Sequence, residues 1–299
     1  MSVATTSNPM QAGAAGATGG FVARAAEDIA FVEGPSRARR LRARLLPPVL
    51  AFAALIAVWY FFAWRLHPNR KFLLPTPDAV ITKGLWNAQA FREMMGSLLL
   101  TTEVALVGLV IAIVLGLGLA VAMYQFRPLE RAAYPYLVAL QAIPILAIVP
   151  LMTVAFGYGF NSKVVVCVII AFFPIPTNAL LGMRSVDTGM GDLFTLQRAN
   201  WYTRLRKLSF PNSLPALFAG LRISAGLSVV GAIVGELFFQ QGRPGLGLRL
   251  TQYRQTLEYP QLFMCLIWAS LLGIAVYLFF GWLGNRALRN WHESARVEA

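Results

Sequence analysis

Three charged side chains, Glu103, Arg222 and Glu236, stand inside otherwise apolar stretches of the sequence. A charge in a low-dielectric stretch costs several kcal/mol, so residues of this type mark ion or solute paths, proton relays or gates. Glu103 and Glu236 are the carboxylates that a proton-coupled carrier would use. Arg222 and Glu236 are 14 positions apart, about 21 Å along a helix, which forbids pairing between them. Arg222 lies near one end of its stretch, where a long side chain can snorkel to the interface. Glu236 lies near the opposite end, where it could line a solute cavity, cap the following loop or pair across a dimer. A carboxylate is a poor ligand for an anion, which favours a gating or structural role. Polar Gln141 and Asn178 fall in two further apolar stretches that also carry Pro144, Pro150, Pro174 and Pro176. Each proline removes a backbone donor, and freed carbonyls survive in a membrane only where protein covers them. These positions therefore read either as packed kinks or as the lining of a pathway.

Other chemistries find little support. No Gly-x-x-x-x-Gly-Lys-Ser/Thr run occurs, and the nearest approach, 157–163, has the wrong spacing, so the chain is not expected to bind or hydrolyse ATP. Cys167 and Cys265 both fall in apolar stretches and read as small buried hydrophobes. His67 and His292 are isolated, with no Cys or carboxylate at ligand spacing, and predict no metal site.

The elements that must position these residues are set by composition. The chain has 299 residues, 57% hydrophobic and 13% charged, with a mean hydropathy of +0.60; a soluble domain carries about 25% charged residues. Six windows, 49–66, 98–123, 132–157, 164–183, 214–239 and 262–284, are long and apolar enough to cross about 30 Å of hydrocarbon. They are apolar on all sides, whereas barrel strands alternate. The sequence thus predicts an all-α polytopic membrane protein with six transmembrane helices. Its net charge of +13 would suggest nucleic acid in a soluble protein, but Lys and Arg concentrate before residue 49, at 127–131, across 184–207 and after 284. That bias places both termini and those loops in the cytoplasm, and no nucleic-acid partner is expected.

Residues 1–45 read as a flexible cytosolic tail ending in a basic cluster of Arg37, Arg39, Arg40, Arg42 and Arg44; 46–289 as the membrane domain; and 290–299 as a second tail. The run after the cluster is too long for a signal peptide and lacks a small-x-small cleavage site. Asp78, after Pro75 and Pro77, is a candidate cap for an interfacial helix over 78–91. Gly108, Ala112, Gly116, Gly118 and Ala120 give the second window a small-residue seam for close helix approach. Between the fourth and fifth windows, 184–213 is basic yet patterned. Leu193, Phe194 and Leu196, then Trp201, Leu205 and Leu208, recur among Arg198, Arg204, Arg206 and Lys207. This spacing predicts two short helices beneath the membrane, the second ended by Pro211 and Pro215. They would either rest on anionic headgroups or dock a soluble partner.

Taken in order, these segments resemble the inner-membrane permeases of ATP-binding-cassette (ABC) importers, in the nitrate, sulfonate and taurine branch. The run Asp192-Leu193-Phe194, then Arg198, then Phe210-Pro211 is similar to that family's Glu-Ala-Ala, Gly and Leu-Pro loop. Leu73-Leu74-Pro75-Thr76-Pro77 resembles its Leu-Leu-Pro-Ser-Pro, and 143–151 its proline-rich third span. Phe172-Phe173-Pro174 with Asn178, Arg184-Ser185-Val186-Asp187, Gly220-Leu221-Arg222, Glu236, and the run from Gly242 to Gly247 match the later spans. The likeness covers 47–289. Asp192 departs from Glu, Phe194 from Ala, and Arg198 from Gly. If that Gly serves a turn with positive φ, Arg is strained there by about 1–2 kcal/mol.

The resemblance implies a type I importer-like transmembrane domain in the bacterial cytoplasmic (inner) membrane. It further implies a second permease copy, two cytosolic ATPase subunits that bind the ATP, an extracytoplasmic substrate-binding protein and no cofactor on this chain. Residues 191–199 would form the coupling helix, with Asp192, Leu193, Phe194, Arg198, Ala199 and Pro211 at the ATPase. Gln141, Pro144, Asn178 and Glu236 become pathway candidates, for a small anionic solute such as a sulfonate, taurine or nitrate, or for a vitamin precursor. An ion-coupled secondary transporter and a membrane scaffold are the competing classes, although no internal repeat of the secondary-transporter kind is present.

Overall fold

The computed structural model describes residues 37–66, 72–142 and 144–289. Every regular element among them is helical. The two expected tails fall largely outside this set, as do His67 and His292. Contacts divide the chain into two units at Phe61 and Phe62. The first holds most of α1, Arg37–Arg65. This helix starts within the stretch read as a tail, because Arg, Ala and Leu from position 37 onward are strong helix formers.

The second unit holds the bundle. Its first helix, α2, is the short Pro77–Val80, continued by a wide turn over Ile81–Leu85. Thr76, not Asp78, is the cap residue; Asp78 stands in the first turn, where its charge favours the helix N-terminus. The segment stops before 91 because Asn87 caps the next helix, its Oδ1 accepting from the amides of Gln89 at 3.1 Å and Ala90 at 3.2 Å. That helix, α3, runs Ala88–Gln125. Its 38 residues span about 57 Å, so it extends well beyond the bilayer core.

The third window is broken. Helices α4, Arg127–Ala142, and α5, Ile145–Phe156, meet at 105°. Pro144 is the reason: it sits at φ −64°, ψ 109°, outside the helical region, and caps α5 without an N–H to continue α4. Among the described residues five helices or helix runs are long and apolar enough to cross a membrane, or six when the bent pair counts as one span. The fourth span is α6, Phe160–Phe172, with α7, Pro174–Arg184. Helix α8, Thr188–Leu196, follows. Next come α9, Trp201–Arg204, and a wide turn over Leu205–Ser209 that leads into α10, Phe210–Phe238. An outer helix α11, Leu246–Gln255, precedes the last span α12, Tyr259–Leu288.

Helix α10 is the centre of the bundle, packing on α3, α6, α7, α11 and α12. Its apolar core joins Val104, Leu109, Val164, Ala225, Val229 and Val276 in one cluster and Ala112, Ile175, Met183 and Leu217 in another. The small-residue seam of α3 holds at every fourth position. A Cβ on Gly108 would lie 2.4 Å from Cys167 Sγ, and one on Gly116 2.9 Å from Ile175 Cβ. Gly118 is not part of it, since a Cβ there meets no atom within 4 Å. Both cysteines are buried free thiols, and Cys167 donates to the Ser228 carbonyl at 3.2 Å.

Candidate functional site: the cytosolic handle and the buried carboxylate

The loop between the fourth and fifth spans is built by its caps. Asp187 Oδ1 accepts from the amides of Gly189 at 2.8 Å and Met190 at 3.3 Å, which starts α8. At the other end the Arg198 amide donates to the Thr195 carbonyl and that of Ala199 to Phe194, each at 3.0 Å. This is the paired-bond ending that requires a left-handed residue after the helix. Arg198 is that residue, at φ 49°. The helix therefore spans Thr188–Leu196 and lies three residues earlier than 191–199; Arg198 and Ala199 form its stop. Met190, Leu193 and Leu196 are exposed, Leu196 by 82%. Asp192 is exposed as well, while Phe194 and Ala199 are half-buried.

The second expected helix is not separate. Asn200 Oδ1 accepts from the Thr203 amide at 2.8 Å, and the helix then continues through Leu205–Ser209 into the fifth span. Within the wide turn the Phe210 amide reaches back five residues to the Leu205 carbonyl. The register changes directly before Pro211, whose missing N–H would otherwise break the ladder. Both arms of the loop are fastened to the spans. Asn212 Nδ2 donates to the Gly182 carbonyl at 3.0 Å, Tyr124 and Ser209 share a hydroxyl hydrogen bond at 2.6 Å, and Arg184 pairs with Glu130. A polar cavity of about 750 Å³ lies between α8, α9 and the cytosolic ends of α3 and α7.

The pathway candidates separate into two groups. Gln141, in the last turn of α4, lines an apolar cavity of about 260 Å³ with Leu137, Ile145, Phe172, Phe173 and Leu227. Pro144, at the break between α4 and α5, is exposed. Asn178 does not reach that cavity. Its amide donates to the Pro174 carbonyl at 2.8 Å, and its side chain fills the space left by Gly220.

Glu236 is 0% exposed. Its Oε2 accepts from the Thr101 hydroxyl at 2.9 Å and the Gly247 amide at 2.8 Å, while Thr101 accepts from the Leu246 amide at 2.9 Å. A carboxylate on α10 thus caps the N-terminus of α11, where N–H groups and the helix dipole favour negative charge. A Cβ on Gly245 would lie 2.1 Å from the carboxylate and one on Gly247 2.4 Å from the Ile233 carbonyl. Lys163, 2% exposed, lies within electrostatic reach and donates to the Arg243 carbonyl at 3.4 Å. Thr101 and Lys163 were not legible as partners, since nothing in a linear sequence joins positions this far apart. The closely spaced Gly245 and Gly247 were the available signal.

Glu103 is not buried among helices. It forms an ion pair with Arg243 at 3.2 Å, and Glu93 pairs with Arg249 at 3.1 Å, both tying α3 to the outer segment. Arg222 is half-buried against α12, its Nη2 donating to the Gly281 carbonyl at 3.4 Å and its Cζ 5.6 Å from the Tyr277 ring centroid. Among the described residues no group of three or more His, Cys, Asp or Glu could hold a metal.

A helical bundle with five or six apolar spans among the described residues defines a multi-pass membrane protein. Residues 108–289 match the binding-protein-dependent transport system inner membrane component family, and the chain belongs to it. It is 34% identical over 231 residues to the formylaminopyrimidine transport permease ThiX of Halalkalibacterium halodurans, covering 77% of this chain and 89% of that protein. It is 35% identical over 240 residues to the riboflavin transport system permease RibX of Chloroflexus aurantiacus, covering 80% and 88%. The fold is also that of a chain of the MetNI methionine ABC transporter in an inward-facing crystal form, with TM-score 0.54 and 21% identity over 68% of this chain and 98% of that one. The chain is an ABC importer permease of type I architecture.

Proposed function

We propose that two copies of this chain enclose the translocation pathway of an ATP-driven importer, each presenting α8 to one cytosolic ATPase, with an extracytoplasmic binding protein delivering the solute. ATP is bound and hydrolysed on the ATPase chains. The observation that carries the reading is α8 itself: capped at both ends and fastened through both arms, it leaves Met190, Leu193 and Leu196 without cover. Arg198 and Ala199 form its stop, and Asp192, Phe194 and Pro211 belong to the same docking loop. Closure of the ATPases on nucleotide would move α8, and with it the spans built from α4 to α10, between inward and outward access. Gln141 and Pro144 flank the pathway, whereas Asn178 and Glu236 act behind it by holding helix pairs.

The solute we infer is a small, flat heterocycle of the vitamin-precursor class, ahead of a sulfonate-type anion. The names of the relatives at 34% and 35% identity support this. So does the cavity beside Gln141, which is lined by apolar and aromatic side chains with no cation. Replacing Leu193 and Leu196 together by Asp is expected to abolish capture of the ATPase while insertion continues, because two unpaired carboxylates would have to be desolvated in the contact; undiminished capture would refute the coupling assignment. Calorimetry on the cognate binding protein decides the solute, and tight binding of taurine or nitrate in place of a pyrimidine would overturn the heterocycle.

A further inference from the structure

Among the described residues Arg222 is a cation without a counter-ion. The three ion pairs among the described residues do not include it. Its Nε is buried with no hydrogen-bond partner among the described residues, and the hydrogen bond from its Nη2 to the Gly281 carbonyl is long at 3.4 Å. Its own helix offers no carboxylate nearer than Glu236, fourteen positions away, and α12 has none at all. The guanidinium sits in a notch made by the last span. A Cβ on Gly281 would lie 3.1 Å from Nε and 3.2 Å from Cζ, and Gly284 one turn on receives Phe218 in the same way. Around the notch Ile223, Leu278 and Trp282 are exposed by 50%, 60% and 58%, an apolar rim suited to acyl chains. Toward the cytosolic end of α12 stand Arg286, 6.0 Å from the Trp282 ring centroid, and Arg289.

From this arrangement we infer that Arg222, Tyr277 and the Gly281 notch form a binding site for the phosphate of an anionic phospholipid in the cytoplasmic leaflet. A guanidinium offers five donors, and phosphate oxygens accept from two of them side by side. Gly281 lies seven residues before the end of α12, about 10 Å along the axis. The arginine extends toward the headgroups, Tyr277 supports its face, and Arg286 and Arg289 add positive potential at the mouth. The occupant is a lipid and not free phosphate, since the rim is apolar.

The test uses the full-length chain in nanodiscs of phosphatidylcholine mixed with phosphatidylglycerol, with retained lipid counted by native mass spectrometry. The unmodified chain is expected to retain phosphatidylglycerol over phosphatidylcholine by about fivefold, the preference of one cation near the surface. Arg222→Leu should remove that preference, and Arg222→Lys should keep part of it, because an ammonium lacks the planar fork. Equal phosphatidylglycerol retention in Arg222→Leu overturns the site. Should Arg222→Leu fail to insert, tail-brominated lipids decide on the unmodified chain, with Trp282→Phe isolating the Trp282 signal. Stronger quenching by brominated phosphatidylglycerol than by brominated phosphatidylcholine supports the site, and equal quenching overturns it. A carboxylate of a second copy found cross-linked to Arg222 also overturns it.

Discussion

Arg198 shows how far a single residue type can be read. As a departure from a family Gly, it implies a strained turn only if that position has positive φ. The structure supplies the φ, 49°, and the two hydrogen bonds that force it. Without a Cβ, Gly adopts this conformation freely. Arg198→Gly is therefore expected to slow hydrogen exchange at the amides of positions 198 and 199 by about fivefold, the equivalent of roughly 1 kcal/mol. Unchanged or faster exchange would show that the arginine side chain makes a compensating contact. Glu236 carries the complementary lesson: its presence inside an apolar stretch was legible, but its partner Thr101 on another helix was not.

At the scale of elements, what decides each helix is how close its neighbour comes. The N-terminus of α11 rests on the Glu236 carboxylate with no space for a side chain at position 247. Gly247→Ala must displace the Ile233 carbonyl or Glu236 Cβ, and it is expected to cost about 1–3 kcal/mol, read as a lowered midpoint of thermal unfolding in detergent. Gly118→Ala is the control, with open space around its Cβ. It should be neutral or gain up to about 1 kcal/mol from helix propensity. Equal losses from both would refute close approach at position 247 as the cause, since propensity favours Ala at either site. The sequence announces the small residues of α3 but not which of them touch α6 and α7. The proline positions were equally plain, whereas their outcomes differ: Pro144 breaks a span at 105°, and Pro211 is absorbed by a wide turn.

For the whole molecule, charge sets direction. The Lys and Arg excess around 184–207 places α8 on the cytoplasmic side, and the segment after α10 on the other. The native cysteines are buried, so single added cysteines can report on sidedness. A membrane-impermeant maleimide is expected to label Gln241→Cys on intact cells and Gly189→Cys only in inverted vesicles; the reverse pattern would invert the topology. The sequence alone determined the membrane class, the six apolar windows, the orientation, the absence of a nucleotide loop and the family likeness. Each of these is a property of consecutive residues, because entry into lipid is decided by local hydropathy and charge. Tertiary structure alone decided that Glu236 caps an outer helix, that Asn178 turns away from the cavity and that Arg222 lies in a glycine notch. Those outcomes depend on contacts between positions as far apart as 101 and 236, which only packing brings together.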